Sequence, residues 1–211
     1  VSRYTYLRDP AEIYQRSFAL IEAEADLSRF PSALRLIALR LAHAAGDTSI
    51  LDDLVWSPGA ISAGQQALTS GAPILVDSTM VAAGIIPARL PAANDIVCTL
   101  GDAKTADMAR RRETTRSAAA IELWRPHLDG AIVAIGNAPT ALFHLLEMIA
   151  DGSPKPALVL GFPVGFVGAA EAKAALADFG DGLDFIALQG RRGGSALAAA
   201  AVNALAGVVG T

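Results

Sequence analysis

Five short apolar runs, each followed by a turn and then by a helix-like stretch, constrain this chain more than any other feature. They lie at 74–76, 96–100, 131–135, 157–160 and 185–188. Each is nearly continuous in apolar residues rather than alternating, which is the pattern of a strand buried on both faces. Consecutive parallel strands need a crossover, and the helix-like stretches at 80–85, 103 to about 124, the segment ending at 150, 169–179 and the one after 194 supply it. Right-handed crossovers then place helices on both sides of the sheet. The expected fold is α/β: a three-layer α/β/α doubly wound protein with a mainly parallel five-stranded sheet.

About seventy residues precede the first of these strands. Asp9-Pro10 opens a helix over 10–25, with Asp as cap and Pro at the first helical position. Ile13, Ser17, Leu20 and Ile21 fall near one face of it. A second helix over 31–45 carries Leu34, Ile37, Ala38 and Leu41 at three- and four-residue steps and stops at Gly46. A short mixed segment at 48–56 and a small-residue helix over 57–70 complete a helical lead-in. No low-complexity linker separates it from the sheet, so a single domain over 1–211 is expected.

With 53% hydrophobic and 18% charged residues, 211 residues suffice for a substantial core. A net charge of −4 argues against a broad nucleic-acid-binding surface, which needs clustered positive charge. Cys98 is the only cysteine, so an internal disulfide framework is excluded, and its place in the second strand reads as a small buried hydrophobe. The opening Val1-Ser2-Arg3-Tyr4 has no apolar segment. The uncharged run 193–211 is mostly Ala and Gly, with Leu197, Val202 and Leu205 as a sparse stripe, which fits a packed helix better than a membrane span. A soluble, cytoplasmic protein without a membrane partner is the expectation.

In sheets of this kind ligands bind beyond the carboxyl ends of the strands. Those ends are Asp77-Ser78-Thr79, Gly101-Asp102, Gly136-Asn137, Gly161-Phe162-Pro163 and the turn 190–194. Glycine permits close backbone approach, and helix starts offer free N–H groups to anions, although glycine and proline punctuate any strand-to-helix turn. None of these turns matches the dinucleotide or phosphate-loop fingerprints. Among the histidines, His127 precedes the third strand at the far end of the sheet, and His144 sits mid-helix between leucines. His43 alone lies near a helix end with a cation, Arg40, three residues earlier on the same face. An imidazole can give and take a proton near neutrality, and a neighbouring guanidinium can grip an acidic ligand. A hydroxyl bonded back to its own helix is the plainer account of Ser17, and the pattern favours it over a donor pointed at a ligand. Arg110, Arg111 and Arg112 read as a solvated face balanced by Asp107 and Glu113, with Arg112 and Arg116 four apart on one helix face. Arg116, between Thr115 and Ser117, suits a carboxylate clamp better than a free surface charge. Arg191 and Arg192 divide evenly between ligand contact and plain surface. No histidine or cysteine pair has metal-ligand spacing, so no metal is expected.

Taken in order, these residues resemble the precorrin-8X methylmutase family. The likeness runs through Tyr14-Gln15-Arg16-Ser17-Phe18, the helix of Arg40 and His43, Asp77-Ser78-Thr79-Met80-Val81 and Thr115-Arg116-Ser117. It continues through Gly136-Asn137-Ala138-Pro139-Thr140, Gly161-Phe162-Pro163-Val164-Gly165 and Gly190-Arg191-Arg192-Gly193-Gly194-Ser195. Two positions depart from the family pattern: Ala172, where a Ser is usual, and Gln189, where an Arg is usual. The resemblance implies an isomerase of cobalamin biosynthesis that moves a methyl group from C-11 to C-12 of a tetrapyrrole, with no cofactor and no external methyl donor. It implies His43 as proton donor and acceptor, Ser17 and Arg40 as substrate-binding residues, and Arg116, Thr79, Met80, Gly136 and Asn137 as further pocket residues. It also implies a homodimer whose small-molecule partners are the tetrapyrrole substrate and product. Whether that substrate is metal-free or carries cobalt stays open. A donor-dependent methyltransferase with a nucleotide-type cofactor and a non-catalytic corrinoid binder are the alternatives from other classes.

Overall fold

The computed structural model describes residues 3–180 and 182–209. Val1 and Ser2 of the opening stretch, and Gly210 and Thr211 of the uncharged run, lie outside the described residues. Helices α1 (Pro10–Glu24) and α2 (Ser32–Ala45) come first, followed by strand β1 (Leu54–Trp56) and helix α3 (Ala60–Thr69). The alternating part then runs β2 (Ile74–Val76), α4 (Thr79–Gly84), β3 (Ile96–Val97), α5 (Ala103–Arg111), α6 (Arg116–Ile121) and β4 (Ile132–Ile135). It closes with α7 (Pro139–Ala150), β5 (Leu158–Gly161), α8 (Ala169–Asp178), β6 (Phe185–Leu188) and α9 (Ser195–Val209).

The sheet order is β1-β6-β5-β4-β2-β3. Five strands are parallel, as expected, and pair with registers such as Leu75 opposite Val133 and Leu160 opposite Ile186. A sixth strand corrects the expected count: β1 pairs antiparallel with β6, Val55 opposite Ala187. Its three residues are too few to show periodicity and no crossover helix follows onto a parallel neighbour, so it reads from sequence as irregular. An antiparallel edge strand on an otherwise parallel sheet is a common ending.

Alternate strand residues face opposite layers. Ile74, Val76, Ile132, Ala134, Leu158 and Leu160 pack under α2, α3, α4 and α9. Leu75, Val133, Ile135, Val159 and Ala187 pack under α6, α7 and α8. The stripe of Leu34, Ile37, Ala38 and Leu41 on α2 is buried, as its spacing requires, and α2 packs along α9. On α1, which lies outside α2, only Ile21 is buried, while Ile13 and Leu20 face solvent.

Two further expectations are corrected. The strand expected over 96–100 covers only Ile96–Val97, and Cys98 just beyond it is half-buried, with burial pushing its thiol up. The single helix expected from 103 to about 124 is broken. Glu113 takes φ +50°, and the Thr115 hydroxyl accepts from Ala118 N at 3.1 Å to cap a new helix. A 3₁₀ turn at Glu122–His127 then finishes the segment. Arg112 and Arg116 therefore do not share a helix face.

Candidate active site

The last turn of α2 ends in a left-handed Gly46 at φ +64°, a backbone conformation that side chains resist. Its N–H reaches back to the Ala42 and His43 carbonyls. This fixes the turn bearing His43 while leaving the imidazole exposed. Asp9 and Pro10 start α1 as the sequence requires, and α1 crosses α2 so that Ser17 meets His43. Ser17 Oγ lies 2.9 Å from His43 Nδ1. That corrects the plainer sequence reading, because the hydroxyl bonds a second helix rather than its own. Tyr14 and Phe18, three residues before and one after Ser17, bracket the imidazole with ring centroids 5.7 and 5.3 Å away. The same two rings receive the Arg40 guanidinium at 4.9 and 5.1 Å.

Arg40 is half-buried and has no carboxylate partner among the described residues. Burial, reinforced by the positive charge of Arg89, pulls its guanidinium below the usual value. An arginine held against aromatic faces without a counter-ion is a ready receptor for a ligand carboxylate. Beside His43 a cleft of about 300 Å³ opens between α1 and the end of α2, lined among others by Ser17, Leu20, Glu24, His43, Gly46 and Asp47. Sequence reasoning placed Ser17, Arg40 and His43, and missed Tyr14 and Phe18. Their four-residue spacing around Ser17 was visible, but aromatics at helical spacing ordinarily read as core. The Tyr14 hydroxyl is buried with no partner among the described residues.

The other expected residues form a second group. The chain reverses its direction of strand addition between β2 and β4, the place where doubly wound folds usually bind ligands. Here Asp77, just after β2, fills that crevice from within. Its carboxylate accepts from the backbone N–H groups of Gly136 at 2.9 Å, Asn137 at 2.9 Å and Ala138 at 2.8 Å. Burial raises the Asp77 carboxyl above its ordinary value and the three amides oppose that. These amides belong to the turn that precedes α7, so Asp77 occupies the approach to that helix start. Gly136 is required by packing, since a Cβ would lie 2.7 Å from Ser195 Cα. Thr79, Met80 and Asn137 expose their side chains around the same rim, Met80 to 71%.

Arg116 is exposed and donates to the Leu100 carbonyl at 3.1 Å, with no acidic partner among the described residues. Asp107 pairs with Arg110 and Arg111, the balanced surface face that was expected, while Arg112 turns instead to Glu122. His144 also bonds Glu122, at 2.9 Å. Among the described residues the Ser17–Arg40–His43 group and the Asp77 group stand apart in the site. The 190–194 turn connects them through the chain: Arg192 reaches Asp47 at 3.0 Å, and Ser195 Oγ lies 3.2 Å from Ser78 Oγ.

Fold and site together define a doubly wound α/β protein whose helical lead-in carries an exposed imidazole next to an aromatic-stacked guanidinium. Among proteins of known family, the precorrin-8X methylmutase model matches residues 12–208. A precorrin-8X methylmutase of Pseudomonas aeruginosa is 57% identical over 201 residues, covering 95% of this chain and 97% of that protein. A cobalt-precorrin-8 methylmutase of Priestia megaterium is 37% identical, covering 93% and 87%. The crystal structure of a precorrin-8X methylmutase from Thermus thermophilus superposes with a TM-score of 0.85 at 40% identity, over 94% of this chain and 96% of that one. The chain belongs to the precorrin-8X methylmutase family, and so to the isomerases of cobalamin biosynthesis.

Proposed function

We propose that the protein isomerises precorrin-8X to hydrogenobyrinic acid, moving the methyl group from C-11 to C-12 within one macrocycle. The observation that carries this reading is the Ser17–His43 bond of 2.9 Å beside the ring-stacked Arg40, which has no carboxylate partner among the described residues. His43 gives a proton to the macrocycle at ring C, the methyl group shifts, and His43 takes the proton back, so no external donor is consumed. Arg40 grips a carboxylate arm of the substrate. Arg116, Thr79, Met80 and Asn137 form the outer rim of the pocket, and Gly136 sits as close-packed backbone beneath it. The metal-free substrate is favoured by the higher identity to a relative named for precorrin-8X, 57% against 37% for one named for cobalt-precorrin-8.

One domain of this kind works as a cytoplasmic homodimer. The single cysteine accords with the compartment. Phe166 and Val167, exposed to 85% and 89% at the carboxyl end of the sheet, supply apolar surface for a second copy. The test is anaerobic incubation with metal-free and cobalt-bearing substrate in parallel, followed by absorbance. Wild-type enzyme converts the metal-free substrate without any methyl donor. His43→Ala loses roughly 10²–10⁴ in turnover while still binding the coloured product. Unchanged turnover would remove His43 from the mechanism.

A further inference from the structure

We infer that Arg192, backed by the buried Lys173, is a positioning residue that holds the His43 turn in place. The inference rests on the reading of His43 as the acid–base group. Arg192 lies beyond β6 and is 145 residues from Asp47, yet both terminal nitrogens of its guanidinium are engaged with the segment that follows α2. Nη1 donates to Asp47 Oδ2 at 3.0 Å and Ser49 Oγ at 2.7 Å, and Nη2 donates to the Ser49 carbonyl at 3.0 Å and Asp53 Oδ2 at 2.7 Å. Two carboxylates, a hydroxyl and a carbonyl around one fork leave it little capacity for a ligand. That settles the even choice left by the sequence: Arg192 serves the chain itself.

The consequence for His43 runs through Asp47. Its backbone N–H bonds the Ala42 carbonyl at 3.3 Å, so it belongs to the cap that closes the last turn of α2. Its other carboxylate oxygen accepts from Ser49 N at 2.8 Å and starts the next turn. Asp47 also lines the cleft beside His43. Pulling on Asp47 therefore moves the turn that aims the imidazole. On the other side, the Arg192 peptide is fixed by Lys173 of α8, whose Nζ donates to the Arg192 carbonyl at 2.6 Å. Lys173 is wholly buried, and burial pulls its ammonium down to about 8 against the pull of the Asp53 charge. The path from the opposite layer of the sheet to the imidazole is thus continuous: Lys173, the Arg192 carbonyl, the Arg192 fork, Asp47, the α2 cap. Exposed ion pairs alone contribute little to stability. A four-acceptor fork anchored to a buried cation is better explained by geometry than by stability, since small misplacements of a reacting group are costly in rate.

The test uses full-length Arg192→Ala, Arg192→Lys and Lys173→Met, with steady-state kinetics on precorrin-8X and the His43 ring resonances of the ligand-free protein. Arg192→Ala is expected to lower kcat about tenfold to a hundredfold with KM held within about twofold, and to shift or broaden the His43 signals. Arg192→Lys restores part of kcat, because a point charge meets one carboxylate but not the whole fork. Lys173→Met acts in the same direction, and it removes a buried charge rather than creating one, so it keeps the test alive if Arg192→Ala fails to fold. Unmoved His43 resonances, or kcat per folded molecule equal to wild type, would overturn the inference. A rise in KM alone would also overturn it, by making Arg192 a substrate contact. If wild type itself leaves precorrin-8X unchanged, the proposed reaction fails, and the resonances still decide the tether.

Discussion

A serine hydroxyl can accept from an imidazole N–H or donate to a bare ring nitrogen, and that choice bears on how His43 would work. As an imidazolium His43 has two N–H groups, and Ser17 can only accept at Nδ1. If Ser17 goes on accepting once Nε2 gives up its proton, the remaining hydrogen stays on Nδ1 and Nε2 is the position to which the proton returns. Under the proposed mechanism, a Ser17 that accepts at Nδ1 would leave Nε2 as the exchanging nitrogen, as orienting partners of catalytic histidines generally do. Ser17→Ala removes one hydrogen bond worth about 1 kcal/mol, so kcat should fall roughly fivefold to tenfold with little change in KM. Arg40→Lys keeps the charge but loses the fit between the Tyr14 and Phe18 rings, and should raise KM by about tenfold with a smaller effect on kcat. Steady-state assays of both variants check the split. The partnership itself was hidden in the sequence. The heptad-like spacing gives the face of each helix, but Ser17 and His43 stand 26 residues apart, and only the crossing of α1 over α2 brings them together.

At the level of elements, the broken segment between β3 and β4 shows how a local signal can be outvoted. Helix-forming residues run almost without interruption from Ala103 to Trp124, which is why one helix is the natural sequence reading. The break falls at Glu113 and Thr115, and a hub gathers residues from both sides of it. Glu122, 9% exposed, accepts from Arg125 at 2.9 Å and His144 at 2.9 Å, and also pairs with Arg112. Arg125 continues to Ser153 Oγ at 2.6 Å, tying the end of α7 to the same knot. Burial would raise the Glu122 carboxyl, but the bonds from Arg125, His144 and Arg112 outweigh it and hold the group down to about 2. A carboxyl lowered in the folded state stabilises fully above its unfolded value near 4.5, and that stabilisation drains away as pH falls toward 2. The two arginines are half exposed, so solvent screening trims the contribution to about 2 kcal/mol. Glu122→Gln should therefore lose about that much in urea unfolding at pH 6. The deficit should shrink between pH 4.5 and 2, where the wild type surrenders the same interaction.

Across the whole molecule, the sheet was the most legible part, because strands buried on both faces must be apolar at nearly every position. The strand edges and the sixth strand were not, since three residues such as Leu54-Val55-Trp56 carry no period. Of the residues the resemblance names, Ser17, Arg40 and His43 meet only through the crossing of two helices. Thr79, Met80 and Asn137 lie around the Asp77 turn and Arg116 bonds the Leu100 carbonyl, groupings that no local spacing in the sequence reveals. A second copy seated on the exposed Phe166–Val167 tip should give a sedimenting species of twice the 21.7 kDa chain mass. Val167→Asp should lower that mass toward one chain, and an unchanged mass would place the contact elsewhere. The Asp77 carboxylate has one more consequence. By seating its own negative group on three amides at the reversal of the sheet, the chain has permanently let the berth that a nucleotide phosphate would occupy in a relative of the same winding. Evicting that tenant with Asp77→Gly should expose a vacant anion cradle, so that millimolar sulfate, inert toward the wild type, raises the melting temperature of the variant.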